Sequence, residues 1–465
     1  MLNQAGPKFL TSSKLRPHQA GPKVLQPCGP ALAGPKVLQP CGPAKAGPKV
    51  LPTCAPAKAG PKLEYDFKRY TGMAATSDLR NPSSVKEYKS FDDMSLSQDL
   101  LRGIYGYGFE KPSEIQQKGI MPIATGLDLI AQAQSGTGKT GTFTIGSLAR
   151  VDPAIKQVQV LCLVPTRELA QQIQIVASQI GSSMGIQAYA AMGKTPLRED
   201  MRALQKGCQF LVGTPGRIYD LMNRKYFQTD YMKVIIVDEA DQMLENRFRE
   251  QLQCILSLGF PSTARCALFS ATMSDEVVEF AEKLLDKPIR ILIPPEQVKL
   301  EGIRQFRVDL EREDWKFEVL LDLYKHLNIT QALIYCNKRQ KAEWLAEKMT
   351  NAGFPITCIH GDMEVRDRMD RMTSFRKGDT RVMISTDLLA RGIDVQQVSL
   401  VINYEIPQQI ENYIHRIGRS GRYGRKGTAI NLISGEDARS LKEIQDMYKV
   451  EIDMLPQDLS KISLV

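Results

Sequence analysis

A glycine-rich octapeptide at residues 133–140 restricts the fold more than any other part of the chain. Loops of this pattern connect a strand to a helix, and their backbone N–H groups surround phosphate oxygens. In such a loop Lys139 reaches the terminal phosphates and Thr140 approaches a Mg²⁺ ion. The octapeptide therefore predicts a site for a nucleoside triphosphate. It consists of Ala133, Gln134, Ser135, Gly136, Thr137, Gly138, Lys139 and Thr140.

A second motif supplies the acids that this chemistry needs. The apolar run 234–237 leads directly into Asp238, Glu239, Ala240 and Asp241. At the end of such a strand Asp238 would bind the metal, and Glu239 would orient or deprotonate the attacking water. Either motif alone can arise by chance. Both in this order predict a site that binds and hydrolyses the triphosphate.

The composition is that of a globular protein. The chain has 465 residues, 43% of them hydrophobic, which suits two or three domains. No apolar run approaches the roughly 18 residues of a membrane helix, and the N-terminus lacks the apolar centre of a secretory signal. Nine cysteines without paired short spacings indicate neither a disulfide framework nor a zinc cluster. We therefore expect no membrane association and a reducing compartment.

The net charge of +9 belongs to the N-terminal tail. Residues 1–63 contain nine basic residues and no acid, and Ala-Gly-Pro-Lys recurs there with a period of 13 from Ala20 to Ala59. Frequent proline blocks helices, and few large apolar groups offset the entropy of ordering. We therefore predict a disordered tail over residues 1–88. Weak, salt-sensitive attachment to RNA through the lysines is the functional alternative.

Beyond the tail, short apolar runs alternate with longer helical stretches, as in parallel sheets with crossover helices. Two such series are separated by residues 293–302, which have the proline and charge content of a connector. We therefore predict two similar α/β domains, at residues 89–293 and 305–465, joined by a linker at 294–304. The predicted strands are residues 127–131, 158–164, 209–213, 234–237 and 266–270, then 331–336, 356–360, 381–385, 400–404 and 428–433.

Polar motifs follow several predicted strands. Thr214 can cap the helix after it and Pro215 fits the first turn, so that free N–H groups attract phosphate. The guanidinium groups of Arg419 and Arg422 suit the charge that spreads over a transferring phosphoryl group. The motifs are Pro165–Ala170, Thr214–Arg217, Ser270–Thr272, Ser385–Asp394 and His415–Arg422.

With these motifs, the chain from Phe91 onward resembles the DEAD-box RNA helicases, and the tail lies outside the resemblance. The resemblance implies two tandem RecA-like parallel-sheet domains. Residues 387–394 are similar to the translation-initiation branch of the family, and residues 419–424 are similar to its exon-junction branch. These two similarities leave both branches open.

The resemblance implies a role for each nucleotide-site residue. Phe91, Phe109 and Gln116 would read adenine, the amide by pairing with N6 and N7 and an aromatic ring by stacking, which selects ATP over GTP. Asp394 would meet the ribose. The second-domain catalytic residues would be His415 with the arginine fingers Arg419 and Arg422, and the coupling residues would be Asp241, Ser270 and Thr272.

The resemblance also places RNA across both domains. Contacts to backbone phosphates and 2′-hydroxyl groups would make binding independent of sequence. Hydrolysis would require the two domains to close, and bound RNA would favour closure. The implied RNA-binding residues are Pro165, Thr166, Arg167, Thr214, Gly216, Arg217, Asn337, Gly361, Arg368, Thr386 and Arg391.

The predicted function is an ATP-dependent RNA helicase that uses ATP and Mg²⁺ to remodel RNA duplexes or RNA–protein complexes in translation initiation. The expected form is a cytoplasmic monomer with protein regulators of the translation-factor or exon-junction type. The nucleus is the alternative location, and an ATP-gated RNA clamp in nuclear mRNA processing is the alternative function. A nucleotide switch that acts only through proteins is disfavoured by the RNA-facing motifs.

Four positions depart from the family pattern. Lys194 stands where a second glycine is usual, and Val365 replaces the glutamine of the family's Gln-x-x-Arg element. Lys338 replaces a threonine, and Gly141 follows the phosphate loop where alanine is common. Because three of the four lie on the RNA side, we expect altered RNA coupling before any loss of hydrolysis.

Overall fold

The computed structural model describes residues 86–134, 136–292, 302–327, 329–387, 398–420, 427–435 and 437–456. The side chains of residues 246 and 247 are not among those described. The predicted tail, apart from its last three residues, and the predicted linker up to residue 301 lie outside this range. So do four predicted site residues, which are Ser135, Arg391, Asp394 and Arg422.

The first lobe is a parallel sheet of seven strands in the order β3-β4-β2-β5-β6-β1-β7. Its strands are β1 Leu129–Gln132, β2 Val160–Leu163, β3 Ala188–Ala191, β4 Phe210–Gly213, β5 Val234–Val237, β6 Arg265–Ser270 and β7 Ile289–Ile291. Its helices are α1 Gln98–Tyr107, α2 Glu114–Ala124, α3 Lys139–Leu148, α4 Arg167–Gly181, α5 Leu197–Lys206, α6 Pro215–Asn223, α7 Ala240–Met243, α8 Asn246–Ser257 and α9 Asp275–Leu284.

The second lobe repeats this architecture in the order β10-β11-β9-β12-β13-β8-β14, again with parallel pairs. Its strands are β8 Ile303–Leu310, β9 Ala332–Tyr335, β10 Ile356–Ile359, β11 Val382–Ser385, β12 Leu400–Asn403, β13 Gly427–Ser434 and β14 Asp453–Met454. Its helices are α10 Trp315–His326, α11 Arg339–Asn351, α12 Val365–Lys377, α13 Ile410–Ile417 and α14 Asp437–Tyr448.

Helices cover both faces of each sheet, so each lobe has two hydrophobic cores. Central strands such as β5 and β9 are buried along their whole length, which explains their continuous apolar sequences. The predicted tandem α/β architecture is therefore confirmed. None of the described helices is both long and apolar enough for a membrane crossing.

A close helix contact in the first lobe depends on one glycine. In α1, a Cβ atom on Gly103 would lie 1.9 Å from the backbone oxygen of Ile180 in α4. Gly106, one turn later in α1, has nothing within 4 Å of the same position. The missing side chain at residue 103 therefore lets α1 pack directly against the backbone of α4.

Gly103→Ala is expected to destabilise the protein by about 1–3 kcal/mol or more, because the methyl group would force two backbones apart. Gly106→Ala is the matched control and is expected to be neutral or stabilising by up to about 1 kcal/mol. Urea unfolding of the two variants measures the difference. Equal midpoints would contradict the packing argument.

Candidate functional site

The glycine-rich loop lies between β1 and α3, as the sequence predicts. Gly136 and Gly138 have φ angles of 86° and 108°, a backbone conformation that favours glycine. Lys139 begins α3 and is only 6% exposed. Its ammonium makes no hydrogen bond among the described residues, and Glu239 Oε1 lies 3.7 Å away. A buried cation at a helix N-terminus without a hydrogen-bond acceptor fits a phosphate group.

The acids at the end of β5 lie beside this lysine. Asp238 is buried, and its Oδ1 accepts a hydrogen bond of 2.9 Å from the backbone N–H of Glu239. Burial raises the pKa of Asp238, Lys139 lowers it, and Glu239 raises it again. Binding of a divalent cation would favour the ionised form of this carboxylate, so the site fits Mg²⁺. Glu239 has a φ of 51°, and such strain is typical of functional sites.

The predicted adenine-reading residues form one cluster on the other side of the loop. Gln116 is 2% exposed and donates a 3.4 Å hydrogen bond to the carbonyl of Gly138. Phe109 is half-buried, and its ring lies close to Gly141 in α3. Phe91 is fully buried and packs against the ring of Phe109 at a centroid distance of 6.4 Å. These placements favour Phe109 as the ring that faces a base and give Phe91 a supporting position.

The acid motif is connected to the second lobe through Asp241. Its Oδ2 accepts a 3.0 Å hydrogen bond from the Thr272 hydroxyl, and His415 Nε2 from α13 lies 2.9 Å from the same oxygen. His415 Nδ1 is also 3.9 Å from Glu239 Oε2. The backbone N–H of Thr272 in turn bonds the hydroxyl of Ser270. The structure thus brings together all three predicted coupling residues and the predicted water-activating acid.

Arg419 lies at the end of α13, one turn after His415. Its side chain is 2% exposed, and its Nε donates a 3.1 Å hydrogen bond to the His415 carbonyl. The helix that contacts Asp241 therefore also positions Arg419. This places one predicted arginine finger two residues after the helix that contacts the first lobe.

A cluster of arginines forms the predicted RNA edge. The Arg167 guanidinium in the first lobe is partly buried, and its Nη1 has no hydrogen bond among the described residues. Burial lowers the pKa of Arg167, and the nearby cations Arg368 and Arg217 lower it further. Arg368, from α12 of the second lobe, pairs with Glu168 at 2.9 Å. Excess positive charge where the two lobes meet is suited to a polymer of phosphates.

Comparison with known proteins shows the family of this chain. The DEAD/DEAH box helicase family matches residues 113–280, and the helicase conserved C-terminal domain matches residues 315–424. The chain is 53% identical to the ATP-dependent RNA helicase eIF4A of Mycosarcoma maydis over 80% of its own length and 90% of the relative's. The chain belongs to the DEAD-box RNA helicase family.

Solved structures confirm the fold of the helicase as two tandem RecA-like lobes. Saccharomyces cerevisiae Dbp5 bound to RNA and ADP BeF3 matches with a TM-score of 0.75 and 35% identity, over 80% of this chain and 97% of that chain. A Dbp5 variant bound to Nup159, Gle1, IP6 and ADP matches with a TM-score of 0.57 and 33% identity, over 78% of this chain and 96% of that chain. The RNA-bound Dbp5 structure thus matches this chain with the higher TM-score of the two.

Arg217 of the helicase is anchored within its own lobe. Its Nη1 pairs with the fully buried carboxylate of Asp200, which also accepts a 2.7 Å hydrogen bond from the Tyr189 hydroxyl. Its Nη2 donates a 2.8 Å hydrogen bond to the Thr195 carbonyl. Sequence reasoning missed Asp200 and Tyr189. Arg217 therefore holds the loop that contains Lys194, a non-glycine residue with a φ of 63°.

Arg217→Ala is expected to destabilise the helicase by about 3–5 kcal/mol, because it leaves the buried Asp200 carboxylate without its cation. Arg224→Ala removes an ion pair with Asp220 in which the two side chains are 54% and 38% exposed, and its expected cost is about 0–1 kcal/mol. Urea unfolding compares the two variants. Similar losses would show that the Asp200 pair is an ordinary surface contact.

Arg416 is a second residue that sequence reasoning missed, although it lies inside the His415–Arg422 motif. It is fully buried and bonds Asp387 Oδ1 at 2.5 Å and the Glu405 carbonyl at 2.7 Å. It also donates a 2.7 Å hydrogen bond to Oδ1 of Asn337, whose Nδ2 bonds the carbonyl of Ile406. The Asn337 side chain, predicted to face RNA, is thus held by protein partners in the helicase.

The other predicted residues lie around the same strand ends. Pro165 and Ala133 are buried, and the Thr166 hydroxyl caps α4 by accepting a 3.3 Å hydrogen bond from the N–H of Leu169. A side chain at the exposed Gly361 would meet nothing within 4 Å, which leaves room for a ligand. Residues that are exposed or half-buried at these edges are Gln134, Gly136, Thr137, Thr140, Thr214, Gly216 and Thr386.

Proposed function

We propose that the helicase hydrolyses ATP in an RNA-dependent manner and uses the cycle to remodel short duplexes or RNA–protein complexes in translation initiation. The observation that carries this proposal is the contact of His415 with Asp241, two residues after the water-activating Glu239. It ties the chemistry of one lobe to the position of the other. The match to eIF4A of Mycosarcoma maydis supports the translation assignment.

Each residue of the nucleotide site would have its own role in ATP hydrolysis. Lys139 and the N-terminus of α3 would bind the terminal phosphates, and Glu239 would orient and deprotonate the attacking water. Asp238 and Thr140 would hold Mg²⁺, which would supply positive charge against the negative charge that develops on the phosphate. Arg419 of the second lobe would stabilise the same charge.

RNA would bind along the arginine cluster formed by Arg167, Arg217 and Arg368. Because these residues come from both lobes, a bound strand favours the arrangement in which His415 reaches Asp241. Phosphate contacts carry no sequence information, so binding would be independent of sequence. The similar fold of Dbp5, which was solved with both RNA and ADP BeF3 bound, supports this occupancy.

The cellular setting belongs to the same proposal. We place the helicase in the cytoplasm as a monomer that is regulated by proteins of the translation-factor type. The proposed boundaries follow the sequence: a tail over residues 1–88, a nucleotide-binding domain over 89–293, a linker over 294–304 and a second domain over 305–465. Residues 303 and 304 of this linker already belong to β8 of the second lobe.

The decisive experiment measures phosphate release with and without single-stranded RNA, beside unwinding of a short duplex. We expect RNA to stimulate phosphate release and the duplex to separate only with ATP. Equal rates of phosphate release with and without RNA would contradict the proposed coupling of ATP hydrolysis to RNA binding. Stimulation without unwinding would instead favour the ATP-gated clamp, in which closure on RNA matters more than strand separation.

A further inference from the structure

The helix that begins at the phosphate loop contains a buried glycine near its start. Gly141 is the third residue of α3, where glycine is unfavourable compared with alanine. A Cβ atom at this position would lie 2.5 Å from Gln116 Nε2 and 3.1 Å from two ring atoms of Phe109. The space of a methyl group is thus filled by the two side chains that face the proposed adenine site.

Gln116 uses this space to bond protein groups. Its Nε2 donates to the carbonyl of Gly138, and its Oε1 accepts a 2.9 Å hydrogen bond from the backbone N–H of Ser113. A Cβ atom on Gly138 would lie 2.9 Å from Gln116 Nε2, so glycine at this position also leaves space for the amide. Adenine recognition requires one donor and one acceptor from the same amide. Protein groups therefore compete with the base for Gln116.

We infer that Gly141 sets the purine selectivity of the ATP site, because its missing methyl group lets the Gln116 amide lie against α3, where its hydrogen bonds go to protein groups. This inference rests on the proposed ATP site. Wild type should therefore discriminate less well between ATP and GTP than a variant with alanine at residue 141.

The contact distances give the direction of the change. The 2.5 Å contact involves the far end of a flexible side chain, so a methyl group at residue 141 is accommodated by movement of Gln116. The Phe109 ring has to move by only a few tenths of an ångström. Displaced from α3, the amide can offer its acceptor to N6 of adenine. Guanine has an acceptor, O6, at that position, so the same amide disfavours GTP.

The test is a titration of wild type and Gly141→Ala with fluorescent analogues of ATP and GTP. We expect the ratio of the GTP to the ATP dissociation constant to rise about fivefold or more, which is the effect of one hydrogen bond. Gly106→Ala is the matched control, because it makes the same change in a helix with nothing within 4 Å. It should leave the ratio unchanged.

A double variant shows whether Gln116 carries the effect. In a Gln116→Ala background, Gly141→Ala should no longer change the ratio, since the competing amide is gone. An unchanged ratio in the single variant, an equal change for both nucleotides, or a rise that persists without Gln116 would each overturn the inference. A Gly141→Ala protein that does not fold would also overturn it, because the methyl group would then not be accommodated by side-chain movement.

The same titration separates this inference from the proposed function. If wild type binds neither nucleotide, the proposed ATP site fails and the selectivity inference fails with it. If wild type binds both and Gly141→Ala leaves the ratio unchanged, only the inference fails.

Discussion

Glu239→Gln is expected to lower RNA-stimulated phosphate release by at least about a hundredfold, which is the lower range for loss of a general base. Glutamine keeps the size of the side chain but cannot accept the proton of the attacking water. Glu239 is 3% exposed and 3.7 Å from the Lys139 ammonium, so no bulk water replaces its function. Single-turnover phosphate release with saturating RNA measures the chemical step.

Two controls make the Glu239 result specific. Glu250→Gln changes an exposed acid of α8 and is expected to leave the rate unchanged. Nucleotide binding by Glu239→Gln should remain, because Lys139, Asp238 and the glycine-rich loop are intact. If Glu239→Gln retained most of its phosphate release, another residue would have to activate the water.

Arg419→Lys is expected to lower RNA-stimulated phosphate release by about a thousandfold, the lower range for loss of an arginine finger. Lysine keeps the charge but has no planar fork of donors, so it cannot follow the charge as it spreads over the phosphoryl oxygens. The fixed position of Arg419 against the His415 carbonyl indicates that its geometry matters as well as its charge. Steady-state phosphate release at saturating ATP and RNA measures the loss.

The control for Arg419 is Arg439→Lys in α14, whose side chain is 88% exposed and paired with Glu443. It should have the activity of wild type. RNA binding by Arg419→Lys should also remain within a few fold, since the arginine cluster of the RNA edge is unchanged. Full activity of Arg419→Lys would show that any cation at this position is sufficient.

Most of the central strands could be predicted from the sequence, because buried parallel strands have continuous apolar runs. Val234–Val237 is the clearest case, and its predicted and observed bounds agree. Strands at the sheet edge or next to it could not be predicted in this way. The strand Ala188–Ala191 consists mostly of small residues and is largely half-buried. In Ile303–Leu310 the apolar residues are interrupted by polar ones such as Arg304, Gln305 and Asp309. The position of β8 in the sheet depends on tertiary contacts such as the bond of Tyr413 to Gln305.

The site shows the same division. That Lys139, Asp238 and Glu239 lie close together could be predicted, because the two motifs follow strands of one sheet. Asp200 could not, because an acid in the first turn of a charged helix has the sequence pattern of a solvated residue. Its burial under Tyr189 and Arg217 is a property of the folded chain. The interior position of Arg416 was likewise not distinguishable among its neighbouring arginines.

The oxygen that Thr272 and His415 share on Asp241 has a consequence for the economy of ATP use. One acceptor atom receives contacts from within the first lobe and from the second, so separation of the lobes removes the His415 contact and keeps that of Thr272. His415 then also leaves the neighbourhood of Glu239. A molecule without RNA would therefore lack part of the surroundings of its predicted water-activating acid, and its consumption of ATP in that state would be low.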